Sequence, residues 1–232
     1  MRVMEQDRRI DRYAVQYKLN EIFDPAAIAS MRLLSYSKGE AVCSAGDHLD
    51  HLYLLVKGKT KVYTTLPNGK SVLLRFNEPL AVVGDMELMT GNPVQCMVES
   101  VGESLFLAIS KEALRDTAFQ SPRFLSFIIK QLSHKLYTAS NASSLNLLYP
   151  VENRFASYLV SVTSDDPHSA ALKEIKTDKL TEVAEKLGTS YRHLNRVIAQ
   201  LARSGIVERE RGAVYIRDLE RLKELASGNL YS

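Results

Sequence analysis

Two short segments near the C-terminal end carry apolar residues at helical spacing. The apolar face of the first consists of Leu180, Val183, Ala184 and Leu187, and that of the second consists of Leu194, Val197, Ile198 and Leu201. Between them, Gly188 stands where a helix must end and turn, and Ser190 stands where a helix N-cap belongs. The pattern therefore predicts a helix-turn-helix whose second helix has one buried and one polar face.

A small hairpin is predicted directly after the second helix. The runs Ile206–Arg209 and Ala213–Ile216 flank Arg211–Gly212, where a tight turn fits, and Asp218 then caps a last amphipathic helix. A helix-turn-helix followed at once by a hairpin has the order of a winged helix-turn-helix. The hairpin would supply a basic wing.

The polar face of the second helix carries residue types that read DNA. Guanidinium groups pair bidentately with guanine and amides pair with adenine, and Arg192, Asn195 and Arg196 lie in the turns that would meet base edges. From Lys186 to Arg217, seven basic residues stand against two acidic ones, whereas the whole chain has a net charge of only +3. The alternative is an amphipathic helical hairpin with a solvated basic face. The candidate contacts to double-stranded DNA are Lys179, Ser190, Tyr191, Arg192, His193, Asn195, Arg196, Gln200, Arg209 and Arg211.

Residues 33–109 have a different texture, with short β-rich runs separated by glycines. Strands are predicted at Leu52–Val56, Lys61–Thr65 and Ser71–Phe76, and Pro67–Asn68–Gly69 forms the turn between the last two. This spacing predicts an antiparallel barrel or jelly roll.

A long helix is predicted from Ser121–Pro122 to about Leu148, and a second one over Val151–Val162. One stripe of the long helix has the spacing of a coiled-coil seam and is expected to form a dimer: Leu125, Ile129, Leu132, Leu136 and Ala139. A second apolar face, at Phe124, Phe127 and Ile128, would pack on the barrel. The alternative is that the whole helix merely packs on its own barrel.

Composition bounds the class of protein. The predicted division is a β-roll sensor domain over residues 1–120, a dimerisation helix over 121–149 and a winged helix-turn-helix over 150–232. No stretch approaches the roughly 18 apolar residues of a membrane span, and the charged N-terminus does not read as a secretory signal. Cys43 and Cys96 offer no disulfide framework or metal-ligand spacing, so a cytoplasmic location without a membrane partner is expected.

The whole pattern resembles the Crp/Fnr family of bacterial transcription regulators. Three stretches carry the resemblance: YSKGEAVCSAGDHLDHLYLLVKGKTKVYTTLPNG, GDMELMTGNP and LGTSYRHLNRVIAQLARSGIV. The SYRHL run and the TLPNG turn resemble its YeiL-type branch in particular. The resemblance implies an α+β fold with an N-terminal jelly roll of the cyclic-nucleotide-binding kind, also called a double-stranded β-helix. It further implies a homodimer on an inverted-repeat operator, and contact with RNA polymerase if the protein activates transcription. The catabolite activator protein of this family is one of the standard helix-turn-helix examples.

The resemblance also locates an effector pocket, for which the candidate residues are Gly84, Asp85, Met86, Glu87, Gln95, Cys96 and Ser140. Relatives that bind cyclic AMP use an arginine to neutralise its phosphate, but no arginine lies between Arg75 and Arg115. Ala139–Ser140 stands where such relatives place a threonine–serine pair. Both departures argue against cyclic AMP. Residues 1–42 contain no cysteine, which argues against an iron–sulfur cluster of the Fnr kind. The effector is then something else, or absent.

Alternatives to a DNA-binding regulator have weaker support. Cys43 and Cys96 could form a redox pair, although small buried cysteines more often pack between strands. A cupin-like enzyme would need metal ligands, and His48 and His51 lack the closely alternating spacing of such a site. A ligand-binding β-roll module with a non-functional helix-turn-helix would have no reason to keep the basic surface. The prediction is a regulator, with no catalytic residues and no metal.

Overall fold

The computed structural model describes residues 1–4, 8–115, 118–162, 174–176, 179–210, 212–226 and 231. Contacts divide the chain into two compact units. The first comprises residues 1–62 and 77–137, and the second comprises residues 63–76 and 138–232. The predicted α+β class is confirmed, with a β-sheet region, a long helix and a helical C-terminal region.

Within the described residues, nine strands form the two sheets of the jelly roll. They are β1 (Arg2–Met4), β2 (Arg32–Tyr36), β3 (Ala41–Cys43), β4 (His51–Lys57), β5 (Thr60–Thr65), β6 (Ser71–Asn77), β7 (Val82–Val83), β8 (Met97–Ser100) and β9 (Ser104–Ser110). One sheet has the order β1-β2-β9-β4-β7 and the other β3-β8-β5-β6. The pairings β1–β2, β2–β9, β4–β9, β4–β7 and β3–β8 are antiparallel.

Alternation along the strands explains the core of the first unit. In the first half of β4, buried Leu52 and Leu54 alternate with partly exposed His51 and Tyr53, which is the period-2 pattern of a strand with one inner face. The alternation ends at Leu55 and Val56, which are both buried where the pairing with β9 shifts register. The predicted turn at residues 67–69 is also present, since the amide of Gly69 donates to the carbonyl of Leu66 at 2.8 Å.

Short helices cover the roll. They are α1 (Arg9–Gln16), α2 (Pro25–Ala29), α3 (Asp85–Thr90) and α4 (Lys111–Arg115), with 3-10 turns at Leu19–Glu21 and Ala118–Gln120. Asp24 begins α2 by accepting a hydrogen bond from the amide of Ala27 at 2.8 Å, and Pro25 occupies the first helical position.

The long helix α5 runs from Pro122 to Leu148, as predicted. Its first half belongs to the first unit, where Phe124 and Ile128 are buried in the core of the roll. The ring of Phe124 lies 5.6 Å from that of Phe23, which is an ordinary tilted aromatic contact. From Thr138 onward, α5 belongs to the second unit.

The second unit contains the predicted winged helix-turn-helix. Its elements are α6 (Val151–Val162), β10 (Glu174–Lys176), α7 (Leu180–Lys186), α8 (Tyr191–Arg203), β11 (Val207–Glu210), β12 (Ala213–Ile216) and α9 (Leu219–Ala226). The predicted hairpin is β11–β12, and β10 adds an unpredicted third strand in the order β10-β12-β11. Asp218 caps α9, since its Oδ1 accepts from the amide of Arg221 at 3.0 Å.

Candidate nucleic-acid interface

The second helix of the helix-turn-helix, α8, begins at a side-chain cap. The hydroxyl oxygen of Ser190 accepts a hydrogen bond from the amide of His193 at 3.2 Å, which satisfies one of the free donors of the first turn. The apolar face predicted from the sequence is buried: Leu194, Val197, Ile198 and Leu201. The opposite face of α8 is therefore left for solvent or for a partner.

The turn between α7 and α8 is fixed from two sides. Gly188 adopts φ +62°, a left-handed conformation that favours glycine, and the amide of Thr189 donates to the carbonyl of Ala184 at 2.9 Å. From α6, Nη1 of Arg154 donates to the carbonyl of Leu187 at 2.5 Å. The angle between the two helices is thus anchored to α6. Arg154 was missed from the sequence because it lies 33 residues from its partner.

Arg192 and Arg196 remain available on the exposed face of α8. Both side chains are exposed, and neither has a hydrogen bond or ion pair within the described part of the chain. They are four residues apart and therefore lie on one side of the helix. A pair of extended guanidinium groups on one face suits bidentate contacts with base edges.

The other candidates on and beside α8 differ in their surroundings. Tyr191 is 45% exposed, Lys179 is an exposed residue at the N-cap of α7, and His193 is half-buried. Nε2 of Gln200 lies 3.3 Å from both carboxylate oxygens of Glu152 in α6, so this amide is engaged within the subunit.

The wing is tied to the recognition helix. Nη1 of Arg209 in β11 donates to Oδ1 of Asn195 in α8 at 3.1 Å. These two candidate DNA contacts are therefore hydrogen-bonded to each other. Arg217 and Glu208 form an ion pair within the hairpin. The candidate Arg211 lies outside the described residues.

Four candidate effector residues of the first unit lie at the start of α3, namely Gly84, Asp85, Met86 and Glu87, and Gln95 and Cys96 follow α3 in the chain. Gly84 has φ +95°, and a Cβ there would come within 2.8 Å of the carbonyl oxygen of His51. Asp85 is fully buried, and one of its oxygens is paired with the ammonium of Lys135 on α5. Nε2 of Gln95 donates to the carbonyl of Pro93 at 3.1 Å. The positive charge beside Asp85 is therefore supplied by the protein's own Lys135.

The remaining effector candidates offer little to bind an anion. Met86 is 51% exposed, while Glu87 and Cys96 are half-buried. Ser140 is exposed and belongs to the second unit. No guanidinium stands in this set to neutralise a cyclic phosphate, and the acidic side chains would oppose one. The residues present therefore do not fit a cyclic nucleotide.

The thiol of Cys43 is held in its protonated form. Burial, followed by the nearby carboxylates of Glu87 and Asp47, raises its pKa to about 12. Because the thiolate is the reactive form, this raised pKa disfavours reaction of Cys43 at neutral pH. Neither Cys43 nor Cys96 is in a disulfide bond within the described residues, and the structure favours a packing role for Cys43.

The predicted seam residues fall into two groups. Ile129 and Leu136 are 63% and 74% exposed, one heptad apart. Leu125 and Leu132 are half-buried against the core of the roll, and Ala139 is half-buried. The described residues contain no group of three or more side chains that could hold a metal ion, and no described helix is long and apolar enough to span a membrane.

The two halves of the chain match two known kinds of domain. Residues 33–121 match the family described as a cyclic nucleotide-binding domain. Residues 153–225 match the family described as a Crp-like helix-turn-helix domain. A β-roll followed by an exposed, basic recognition helix defines the class of helix-turn-helix transcription regulators with a sensor-type domain. Within that class, the chain belongs to the Crp/Fnr family.

Individual relatives agree with this assignment. The regulatory protein YeiL of Escherichia coli O157:H7 is 27% identical over 198 residues, which cover 85% of this chain and 87% of YeiL. A CRP-like cAMP-activated global transcriptional regulator of Mycobacterium tuberculosis H37Rv is 24% identical over 88% of this chain and 93% of its own. Among solved structures, a Crp/Fnr-family regulator from Eubacterium rectale has the same fold, with a TM-score of 0.71, 14% identity and 96% coverage of both chains.

Proposed function

We propose that this transcription regulator acts as a homodimer that binds an inverted-repeat DNA operator, and that it does so with an effector other than cyclic AMP or without one. The observation that carries the proposal is the exposed pair Arg192 and Arg196 on an N-capped helix whose other face is buried. Base edges in the major groove are the natural partner of such a pair.

The wing hairpin supports the assignment of α8 as the DNA-binding surface. Because Arg209 bonds Asn195, the hairpin is joined to the recognition helix at the level of its second turn. Arg209 then acts in part by orienting Asn195 and in part as a positive charge near phosphate. A loss at Arg209 should therefore reduce affinity on all sequences and also relax the preference at the base that Asn195 meets.

The exposed side of α5 supports a dimer. Leu136 and Ile129 are large apolar side chains that are both exposed and lie one heptad apart, and apolar residues at heptad spacing are typical of a helix pair. A two-fold axis along this stripe would present two recognition helices to half-sites about 34–36 Å apart. An activator of this kind would in addition contact RNA polymerase.

The first test uses DNA that the wild-type protein enriches from a random duplex library. On that duplex, Arg196→Ala should weaken binding by about 1–3 kcal/mol while random duplex is largely spared. The matched control is Arg203→Ala, which removes an equally exposed arginine from the last turn of the same helix. Mobility shifts on both duplexes measure the difference.

Two outcomes would count against the proposal. If the wild type enriches no sequence, the protein is a ligand-binding module with a non-functional helix-turn-helix. If Arg203→Ala loses discrimination and Arg196→Ala keeps it, the DNA-reading face has been assigned to the wrong end of α8.

A further inference from the structure

We propose that the ion pair between Lys135 and Asp85 replaces a bound effector as the link between the long helix and the β-roll. The inference rests on the proposed function, because the consequence of the link is read out in DNA binding. It commits the protein to one of the two options left open above, namely action without an effector.

The first step is the position of Asp85. This residue begins α3, directly after the tight Gly84 turn, and it is fully buried. It lies within residues 33–121, which match the family described as a cyclic nucleotide-binding domain. A buried carboxylate at this place would repel a phosphate, so the site is built for a cation.

The second step is that the chain supplies the cation itself. The ammonium of Lys135 is paired with Oδ1 of Asp85, and the Lys135 side chain is only 12% exposed. The second oxygen of Asp85 is buried and has no hydrogen-bond partner among the described residues. Lys135 is therefore the group that compensates this carboxylate, and removing it alone would leave a buried charge.

The third step is what the pair holds in place. Lys135 points into the first unit, and Leu136, the next residue of α5, is 74% exposed. Successive residues of a helix are turned by about 100°, so fixing Lys135 inward fixes Leu136 outward. Three residues beyond Lys135, at Thr138, the same helix passes into the second unit. The pair thus fixes the rotation of α5 about its own axis near Leu136, which is one of the two exposed residues of the proposed dimer seam.

The consequence is a helix that is ordered without ligand. In an effector-gated regulator, the ligand binds the state with an ordered helix more tightly and so favours that state. Here the Lys135–Asp85 ion pair orders α5 without a ligand. Loss of the pair should make this part of α5 less ordered and so weaken the dimer. The distance between the two recognition helices would then be less well defined. DNA affinity should then fall.

The test removes both charges at once, because a single substitution at Lys135 could prevent folding. The double variant Asp85→Asn with Lys135→Met keeps the volume of the pair and leaves no buried charge. The matched control is Lys61→Met with Glu99→Gln, which removes another ion pair of the first unit, with an N–O distance of 2.6 Å and side chains 14% and 17% exposed. Neither control residue lies on α5.

Two readouts are compared in the absence of nucleotide. The double variant should bind the wild-type-enriched duplex about tenfold or more weakly, while the control stays within about twofold of the wild type. Amides of α5 near Lys135 should exchange with deuterium about tenfold faster in the double variant than in the control. Equal or tighter DNA binding by the double variant would overturn the proposal, as would unchanged exchange.

The exchange measurement also separates the two proposals. If the wild type enriches no duplex, the proposed function fails, and the exchange rates alone then decide whether the pair orders α5. If the wild type binds DNA and the double variant binds it equally well, the proposed function stands and this inference is wrong.

Discussion

A single tyrosine ties three elements of the second unit together. The Tyr231 hydroxyl donates to Oδ1 of Asn146 in α5 at 3.1 Å, and its amide donates to the hydroxyl of Ser161 in α6 at 3.2 Å. Its carbonyl accepts from the amide of Phe76 in β6 at 2.5 Å. The ring is fully buried, and burial raises its pKa to about 12, so the phenol stays protonated and remains a donor at neutral pH.

The ring should matter more to stability than the hydroxyl. Tyr231→Ala should lower the free energy of unfolding by about 3–5 kcal/mol, because a large buried side chain is replaced by a cavity. Tyr231→Phe, the matched control, should cost only about 1 kcal/mol for the lost hydrogen bond. Urea unfolding followed by circular dichroism measures both, and equal midpoints for wild type and Tyr231→Ala would show that the ring is not packed.

At the level of residues, the sequence predicts types and faces but not partners. Arg192 and Arg196 were assigned to the polar face of a helix from periodicity alone, and both are exposed. The bonds from Arg209 to Asn195 and from Lys135 to Asp85 were not foreseen, since the partners lie 14 and 50 positions apart. Nothing in a local pattern brings such residues together.

At the level of elements, the amphipathic helices of the second unit were predicted well, including the seven-residue α7, whereas shorter elements were not. The bounds of α6 agree at both ends, and α5 ends at the expected residue. The helices α2, α3 and α4 were missed, as were β1 and β10. They are three to six residues long, which is too short to show a period.

The seam on α5 can be tested at Leu136, which is exposed in the subunit. Leu136→Glu should convert a dimer into a monomer in light scattering, because two like charges would meet across the two-fold axis without partners. His134→Glu, two residues away and also exposed, is the control and should leave the mass unchanged. Leu132 is less suitable because it is half-buried against the roll. A Leu136→Glu variant that stays dimeric at micromolar concentration would place the interface elsewhere.

At the level of the whole molecule, the first unit has the fold of a nucleotide-binding domain but lacks the side chains that would bind the nucleotide. The domain matches a cyclic nucleotide-binding family, yet Lys135 compensates the buried carboxylate of Asp85. The sequence has no arginine between Arg75 and Arg115 that could neutralise a phosphate. Millimolar cyclic AMP should therefore leave the melting temperature unchanged, whereas a ligand at 100 times its Kd would add roughly 2.7 kcal/mol. The cAMP-activated relative from Mycobacterium tuberculosis serves as positive control. A saturable shift in this protein would show that its pocket does accept the nucleotide.

The central claim, a two-fold symmetric DNA-binding dimer, is tested most directly by a hydroxyl-radical footprint of the wild type on its enriched duplex. A symmetric dimer should give two mirror-related protected patches, with their centres about 10–10.5 base pairs apart. A single unpaired patch, or uniform protection like that on random duplex, would contradict it.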